Sequence, residues 1–422
     1  MNEKTQASQR SNFPSNPKTI KITALSLPLI IFLLGFPQVS ETIYTPALPQ
    51  LSKDLATSSQ LAELTLSIYF IGFAAGVALW GLFCDLWGRR KMMLAGLGIY
   101  IISCCALWQS ASIETLLLLR FFQALGASVG SVITQTMIRD VYEGKERHKL
   151  FAIVGGALAF SPAIGPWLGG LLCMTFGWKI NFAFLAAAGL LLLIHCYLFL
   201  PETRPNNTIR LFQVNDLPKL AMKMLKDKHI LFHVLLISAC NGIIFGFYGE
   251  APFVFIDLMG FSPSAYGLLG MALCGAGLLA SFISHRMNEK FTPQQIIILG
   301  ALIAFLGSLN LCAYAWGDLF TADSSLFQLS CIILAISIIF LGVLLIISNS
   351  LSIALSNYKQ ALGMAGAIFG TLYYIGISFL TALMSYLHNG TAYPMPIFFT
   401  LLSLCLLFSS KCLYKNTCLV NR

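Results

Sequence analysis

Three ionisable residues stand inside stretches that are otherwise almost wholly apolar: Glu41, Arg120 and Glu250. A charge at the centre of a lipid bilayer costs about 2.5–3.5 kcal/mol on insertion scales, so each should face protein or water rather than lipid. A carboxyl group in such a place can take up and release a proton, because burial disfavours its charged form. It can also hold a cationic solute. A second constellation is the run Gly81-Leu82-Phe83-Cys84-Asp85-Leu86-Trp87-Gly88-Arg89-Arg90-Lys91, which places one acid, two glycines and three cations in a short connection. Gly88 permits a tight turn, Gly81 a close helix approach, and Asp85 can accept from a neighbouring helix end or from Arg139. A pair of that kind, made in one packing of the chain and broken in another, acts as a conformational latch with a coupling of about 1–3 kcal/mol. Each site has a plainer reading. The acids can be carboxylates exposed to interfacial water, Arg120 can be bonded to backbone carbonyls or Gln123, and the cations can be topogenic only.

The elements that must position these residues are membrane helices. The chain of 422 residues is 57% hydrophobic and 10% charged, and Gln360–Ser410 contains no Asp, Glu, Lys or Arg. A bilayer core about 30 Å thick needs about 20 apolar residues per helix, and each span must satisfy its own backbone. The apolar runs do not alternate as barrel strands do. They divide into twelve spans, at 22–45, 61–83, 91–109, 113–137, 149–173, 178–200, 230–257, 264–285, 294–316, 326–356, 360–387 and 392–412. The expected fold is all-α, with twelve transmembrane helices in two six-helix halves around a central cavity. A tail (1–21) precedes the first half (22–200), a linker (201–229) joins it to the second (230–412), and a tail (413–422) follows. Prolines 201 and 205 stop the sixth helix, and the linker's later part could be a basic amphipathic helix on the membrane surface.

With the N-terminus placed inside, 23 of the 26 Lys and Arg fall on one side, leaving out Lys53, Lys179 and Arg120. The positive-inside rule then predicts cytoplasmic termini and linker, and Trp108, Trp178 and Trp316 fall at the outer interface. The same asymmetry accounts for the net charge of +9, with anionic lipid rather than nucleic acid as the partner. The 12 cysteines show no metal-ligand spacing, and no phosphate-binding GxxxxGK[ST] loop occurs. Neither metal nor cofactor is expected, and energy must come from a gradient. At 100 mV one proton supplies about 2.3 kcal/mol, which sustains a solute ratio of roughly 40-fold. Candidate liners of an apolar cavity are Tyr69, Phe70, Phe73, Gln135, Asn241, Tyr248, Tyr373 and Tyr374, with lipid-facing or packing bulk as the competing reading.

The chain resembles the major facilitator superfamily, most closely the drug:proton antiporters of the bicyclomycin/chloramphenicol-resistance branch, with the multidrug resistance protein D type close by. Gly81…Asp85…Gly88-Arg89-Arg90 matches the loop 2–3 motif, Arg120-Phe121-Phe122-Gln123-Ala124-Leu125-Gly126 the span 4 motif, and the stretch from Ser161 to Gly170, with Pro162, Gly165, Pro166, Gly169 and Gly170, the antiporter motif of span 5. Tyr44-Thr45-Pro46-Ala47-Leu48-Pro49, Leu200-Pro201-Glu202-Thr203 and Ala251-Pro252-Phe253-Val254-Phe255 fit the branch. Leu82 and Leu86 stand where the family usually has proline and arginine, and the branch's usual acid of span 1 aligns with Thr42 rather than Glu41. A weaker echo of the loop motif recurs at Ser284–Lys290. The resemblance implies proton-coupled export of hydrophobic or amphipathic small molecules from the bacterial inner membrane, with Arg120 taking part in coupling and a monomer as the unit. The alternatives are a dedicated exporter of an endogenous metabolite, such as a siderophore, and a nutrient importer or uniporter. No catalytic reaction is expected.

Overall fold

A computed structural model describes residues 25–158, 160–204, 211–321 and 324–420. The tail 1–21 therefore lies outside the described residues. Among them the ordered elements are all helical. Twelve helices are long and apolar enough to cross a membrane, numbered here as spans 1 to 12: Leu27–Asp54, Ser59–Trp87, Arg89–Trp108, Ile113–Val141, Gly144–Phe176, Ile180–Phe199, Lys228–Leu258, Pro263–Met287, Pro293–Trp316, Leu326–Tyr358, Gly363–Leu387 and Pro394–Cys412. The protein is a multi-pass membrane protein.

Helix starts follow local chemistry. Ser58, Ser112, Ser262, Thr292 and Ser325 each accept an N–H of the first turn behind them, which satisfies a donor that the helix cannot. Helix breaks follow proline. Span 1 carries Pro37, ends its first segment at Thr42, passes through a 3-10 turn at Thr45–Ala47 and resumes at Leu48. Span 7 is α-helical to Pro252 and then widens into a π-helical turn, Phe253–Leu258. Pro252 has no N–H to give the carbonyl four residues back, so the ladder shifts there. Glu41 and Glu250 both sit just before these breaks.

Spans 1–6 pack around apolar clusters that include Leu33, Trp80, Val129 and Ile133 at one end and Tyr44, Tyr69, Phe73 and Leu116 at the other. Spans 7–12 enclose a larger core built on Phe247, Tyr248, Phe255, Ile339 and Phe399. Helices approach closely where a residue is small: Gly300 of span 9 and Gly342 of span 10 lie against each other's backbone, the small-residue crossing that membrane helices use in place of a hydrophobic drive. The helix Leu211–Lys226 joins the two sets, packing Leu220 and Met224 onto the second and leaving Met222 and Leu225 exposed. The last helix runs on to Val420, past the expected span end at 412.

The two sets meet along spans 2 and 11, spans 5 and 8, and where span 7 crosses spans 1 and 2. Loop 2–3 and the linker share one end of the bundle, called here the linker end. The opposite end carries loops 1–2, 7–8 and 11–12. Trp108 and Trp316 are exposed near that end, but Trp178 is buried against Phe182 with Lys179 over its ring, so it is a packing residue rather than an interfacial anchor.

Candidate functional site

The centre of the first half is built on Arg120, which is fully buried in span 4. Its guanidinium lies between two phenol rings, 4.1 Å from the centroid of Tyr44 and 4.2 Å from that of Tyr69. Nη1 donates to Gln123 Oε1 at 2.5 Å, while Nε and Nη2 have no hydrogen-bond partner. The aromatic faces supply what water would have given, about 0.5–2 kcal/mol each when desolvated. Glu41 of span 1 is 5% exposed and lies within electrostatic reach of the guanidinium, though no ion pair joins them. One guanidinium and one titratable carboxyl group thus share an apolar space with two free donor groups.

A second layer holds this arrangement. The Tyr44 hydroxyl shares a 2.9 Å hydrogen bond with Thr65, Tyr100 donates to Ser40 at 3.0 Å beside Glu41, and Gln123 donates to Cys104 at 3.1 Å. Spans 1, 2, 3 and 4 are therefore tied at the height of Arg120. Tyr44 and Tyr100 are partners that the sequence did not single out. Tyr44 was legible as part of its Pro-containing stretch, whereas nothing in the sequence around Tyr100 distinguishes it from packing bulk.

Tyr69 lies on the same face of span 2 as Phe70 and Phe73, and these lead into an aromatic slab that crosses to the second half. Phe70 packs on Phe245 of span 7 with centroids 4.4 Å apart, Phe73 on Tyr374 of span 11 at 4.5 Å, and Tyr374 on Tyr373 at 4.6 Å. Six aromatic side chains thus meet where the halves face one another, close to Arg120. Gln135 is half-buried in span 4. Tyr248 packs against Phe247 and lies 6.2 Å from the Phe245 ring, and Asn241 donates to the Ile237 carbonyl of its own helix.

Glu250 differs from expectation. It does not look into the Arg120 site. It is fully buried at the opposite-end seam, where His388, just past span 11, places Nδ1 2.8 Å from Glu250 Oε2 and 3.0 Å from Glu63 Oε1. Hydrogen-bond geometry is met at Glu250, while Glu63 Oε1 and Glu250 Oε1 remain without hydrogen-bond partners. Glu63 belongs to span 2, so the group links the two halves. Metal-type donors of these three residues lie within 4.8 Å of one another. A tetrahedral ion at about 2.0–2.2 Å from its ligands would hold them about 3.4 Å apart. The two contacts to Nδ1 are shorter than that and have hydrogen-bond lengths, which a proton satisfies and an ion does not.

More contacts close the same seam. Lys53 pairs with Asp257 at 2.7 Å. Ser67 and Ser378 each donate to the other's carbonyl, at 2.7 and 2.8 Å. The glycine- and proline-rich stretch of span 5 serves both inside and across the halves. Gly165 and Gly169 lie against Thr42 and Ile43 of span 1, whereas Gly170 lies against Pro263 and Ser264 of span 8, and Gly267 of span 8 against Pro166. Pro166 sits inside the helix Ser161–Phe176 with Pro162 at its start.

At the linker end the expected pairing of Asp85 with Arg139 is not made. Arg89 takes Asp85 instead, Nη2 to Oδ1 at 2.9 Å, and reaches Asp140 through Nε at 2.9 Å. Asp140 follows Arg139 directly, and one residue turns a helix by about 100°, so the acid of that pair faces the loop and the arginine does not. Gly88 has φ +98°, the conformation the turn required. Glu202 accepts the N–H groups of Arg89 and Arg90 at 2.9 and 3.1 Å, which caps the start of span 3, and Arg90 donates to the Tyr197 carbonyl. All these bonds stay within spans 2, 3, 4 and 6 and the start of the linker at Glu202. Gly81 faces the other half, at Ala367 of span 11. In this form, among the described residues, the loop's charges bind the first half together. Its echo is weaker: Ser284 accepts from Asn349 at 2.9 Å, and no acid–cation lock is formed there among the described residues.

Two six-helix sets meeting at an ionisable, aromatic seam define a membrane carrier, not an enzyme. Residues 30–381 match the Major Facilitator Superfamily, and the chain belongs to that family. An uncharacterized transporter of Rickettsia bellii (strain RML369-C) is 35% identical over 380 residues, covering 89% of this chain and 93% of its own. A chloramphenicol resistance protein of Pseudomonas aeruginosa is 28% identical over 358 residues, covering 84% and 83%, in keeping with the drug-transporter branch that the motifs resemble. The crystal structure of a D-xylose-proton symporter shares the fold, with a TM-score of 0.70 at 16% identity over 90% of this chain and 96% of that one.

Proposed function

We propose that this carrier exports hydrophobic or amphipathic small molecules in exchange for protons, with the linker end in the cytoplasm of a bacterial inner membrane. The observation that carries the reading is the Arg120 site: a buried guanidinium with two unpartnered donors, an acid close by, and an aromatic slab leading to the other half. An apolar solute gains from the aromatic surface, and the Glu41 carboxyl is the group whose protonation can be traded against solute. Proton and solute compete because each alters the same local charge balance around Arg120. A ligand shifts an alternating carrier only by its differential affinity for the two forms, and one site shared by proton and solute supplies such a difference. The relative named for chloramphenicol resistance supports this class of substrate, and the clustering of cations on one side supports the orientation.

Everted membrane vesicles carrying a respiration-driven pH gradient test it. Addition of chloramphenicol or a lipophilic cation should dissipate part of the gradient in wild-type vesicles and not in Glu41→Gln vesicles. Transport of either solute that continues unchanged after the gradient is collapsed would refute antiport.

A further inference from the structure

We propose that Glu63, Glu250 and His388 form a proton-binding site that is filled as the opposite-end seam closes, an inference that rests on the alternating-access reading above. Glu63 is on span 2, Glu250 on span 7 and His388 just past span 11, so the site exists only while the halves touch there. Both carboxyl groups are almost wholly buried, at 2% and 0% exposure, and each keeps one oxygen without a hydrogen-bond partner. A single nitrogen, Nδ1, faces both. With both acids ionised, a lone pair on that atom would repel two carboxylate oxygens at 2.8 and 3.0 Å, and Nδ1–H is the form that satisfies the contact. A neutral ring would then leave two buried negative charges, and a second ring proton reduces the net charge to one. An uncompensated buried charge is costly, so the closed seam favours the protonated ring.

Opening the seam moves span 2 away from spans 7 and 11 and lets water reach all three groups. The imidazole then returns towards its ordinary value of about 6.5. In the closed form burial pushes His388 down, but its contacts with Glu250 and Glu63 outweigh this and raise it to about 10. The form with the raised value is the one that binds the proton, so closure takes a proton up. Closure is fully favoured below the open-state value and loses that support as pH rises through the closed-state value. Among the described residues, the ionisable groups that act on His388 are Glu250 and Glu63, and the Phe253 ring packs on its imidazole with centroids 5.1 Å apart. The Lys53–Asp257 pair crosses the same seam but is exposed on its lysine side, where water and salt screen it.

In an exporter this end faces outwards. A carrier that has released its solute outside would bind an outer proton at the triad, close that seam and present its central site to the cytoplasm again. The outer proton thus becomes a condition of the return step.

Encoded spin labels at Leu61 and Tyr386, whose side chains are exposed near the ends of spans 2 and 11, report the seam by pulsed dipolar spectroscopy in the purified full-length protein without solute. Measured between about pH 6 and pH 9 with a chelator present, the wild-type ratio of closed to open should fall by up to tenfold per unit of rising pH, as one linked proton allows. His388→Gln, which cannot become a cation, should flatten the response, and Glu63→Gln should weaken it. A wild-type distance distribution unchanged over this range, or a His388→Gln protein with the full response, overturns the proposal. A response seen only without chelator assigns the site to a metal ion and overturns it as well. A chelator-resistant response in a protein that moves no solute against protons would support the site and refute the exporter reading.

Discussion

Arg120 is charged without water around it, and the residue type matters for that. A planar guanidinium lies flat between the Tyr44 and Tyr69 rings and still points one N–H at Gln123. An ammonium is more strongly hydrated and has no plane to stack. Arg120→Lys should therefore keep the charge and lose most transport, by more than about tenfold in rate, while Tyr69→Phe, which keeps an aromatic face, loses much less; solute uptake into everted vesicles separates the two. Glu41→Gln should abolish the dependence of transport on pH while leaving solute binding measurable. The charges of this site were legible because an acid or a cation within an apolar run has few uses other than function. Glu63 and His388 were not legible. Each stands near a span end, where a carboxylate or an imidazole ordinarily meets water, and only the folded contact between distant parts of the chain makes them a unit. Arg139 shows the opposite failure: its type was right, but its neighbour Asp140 holds the face that meets Arg89.

At the scale of elements, two neighbouring glycines of span 5 are expected to fail in different ways. A side chain at Gly169 would run into the Ile43 backbone of the same half, so Gly169→Val should lower yield and melting temperature, because overpacking typically costs about 1–3 kcal/mol. A side chain at Gly170 would run into Pro263 across the seam, so Gly170→Val should leave the half intact and shift the carrier towards the form open at that end, as the Leu61–Tyr386 distance would show. Gly88→Ala forces a φ of +98° on a residue with a Cβ and drives that carbon towards Glu202, and lower thermal stability with looser loop 2–3 contacts is expected. Apolar run lengths were enough to place the twelve helices. Neither the break in span 1 nor the π-helical turn after Pro252 was read from the sequence, since a proline announces a lost hydrogen bond and not the register that replaces it. The glycine spacing of span 5 announced close packing, but the sequence could not say that adjacent glycines serve different partners.

For the whole molecule, the contacts divide unequally between the ends. The opposite end is sealed across the halves by the Glu63–His388–Glu250 group, the Ser67–Ser378 exchange, the Lys53–Asp257 pair and the close approach of spans 5 and 8. The charges of loop 2–3 at the linker end are satisfied inside the first half, and Asp85 stays half exposed. Opening the sealed end must break the buried polar contacts, whereas the exposed lysine pair is worth about 0–1 kcal/mol, so Lys53→Ala should change the closed-to-open ratio less than about fivefold. The link between the two ends is the central claim, that solute and proton displace each other at the Arg120 site. Proton release on solute binding tests it most directly, with purified carrier in weakly buffered detergent and chloramphenicol added while pH is followed. The wild-type protein should release protons in proportion to bound solute, and the Glu41→Gln protein should bind without release. Saturable binding to the wild-type protein with no change in pH would contradict the account.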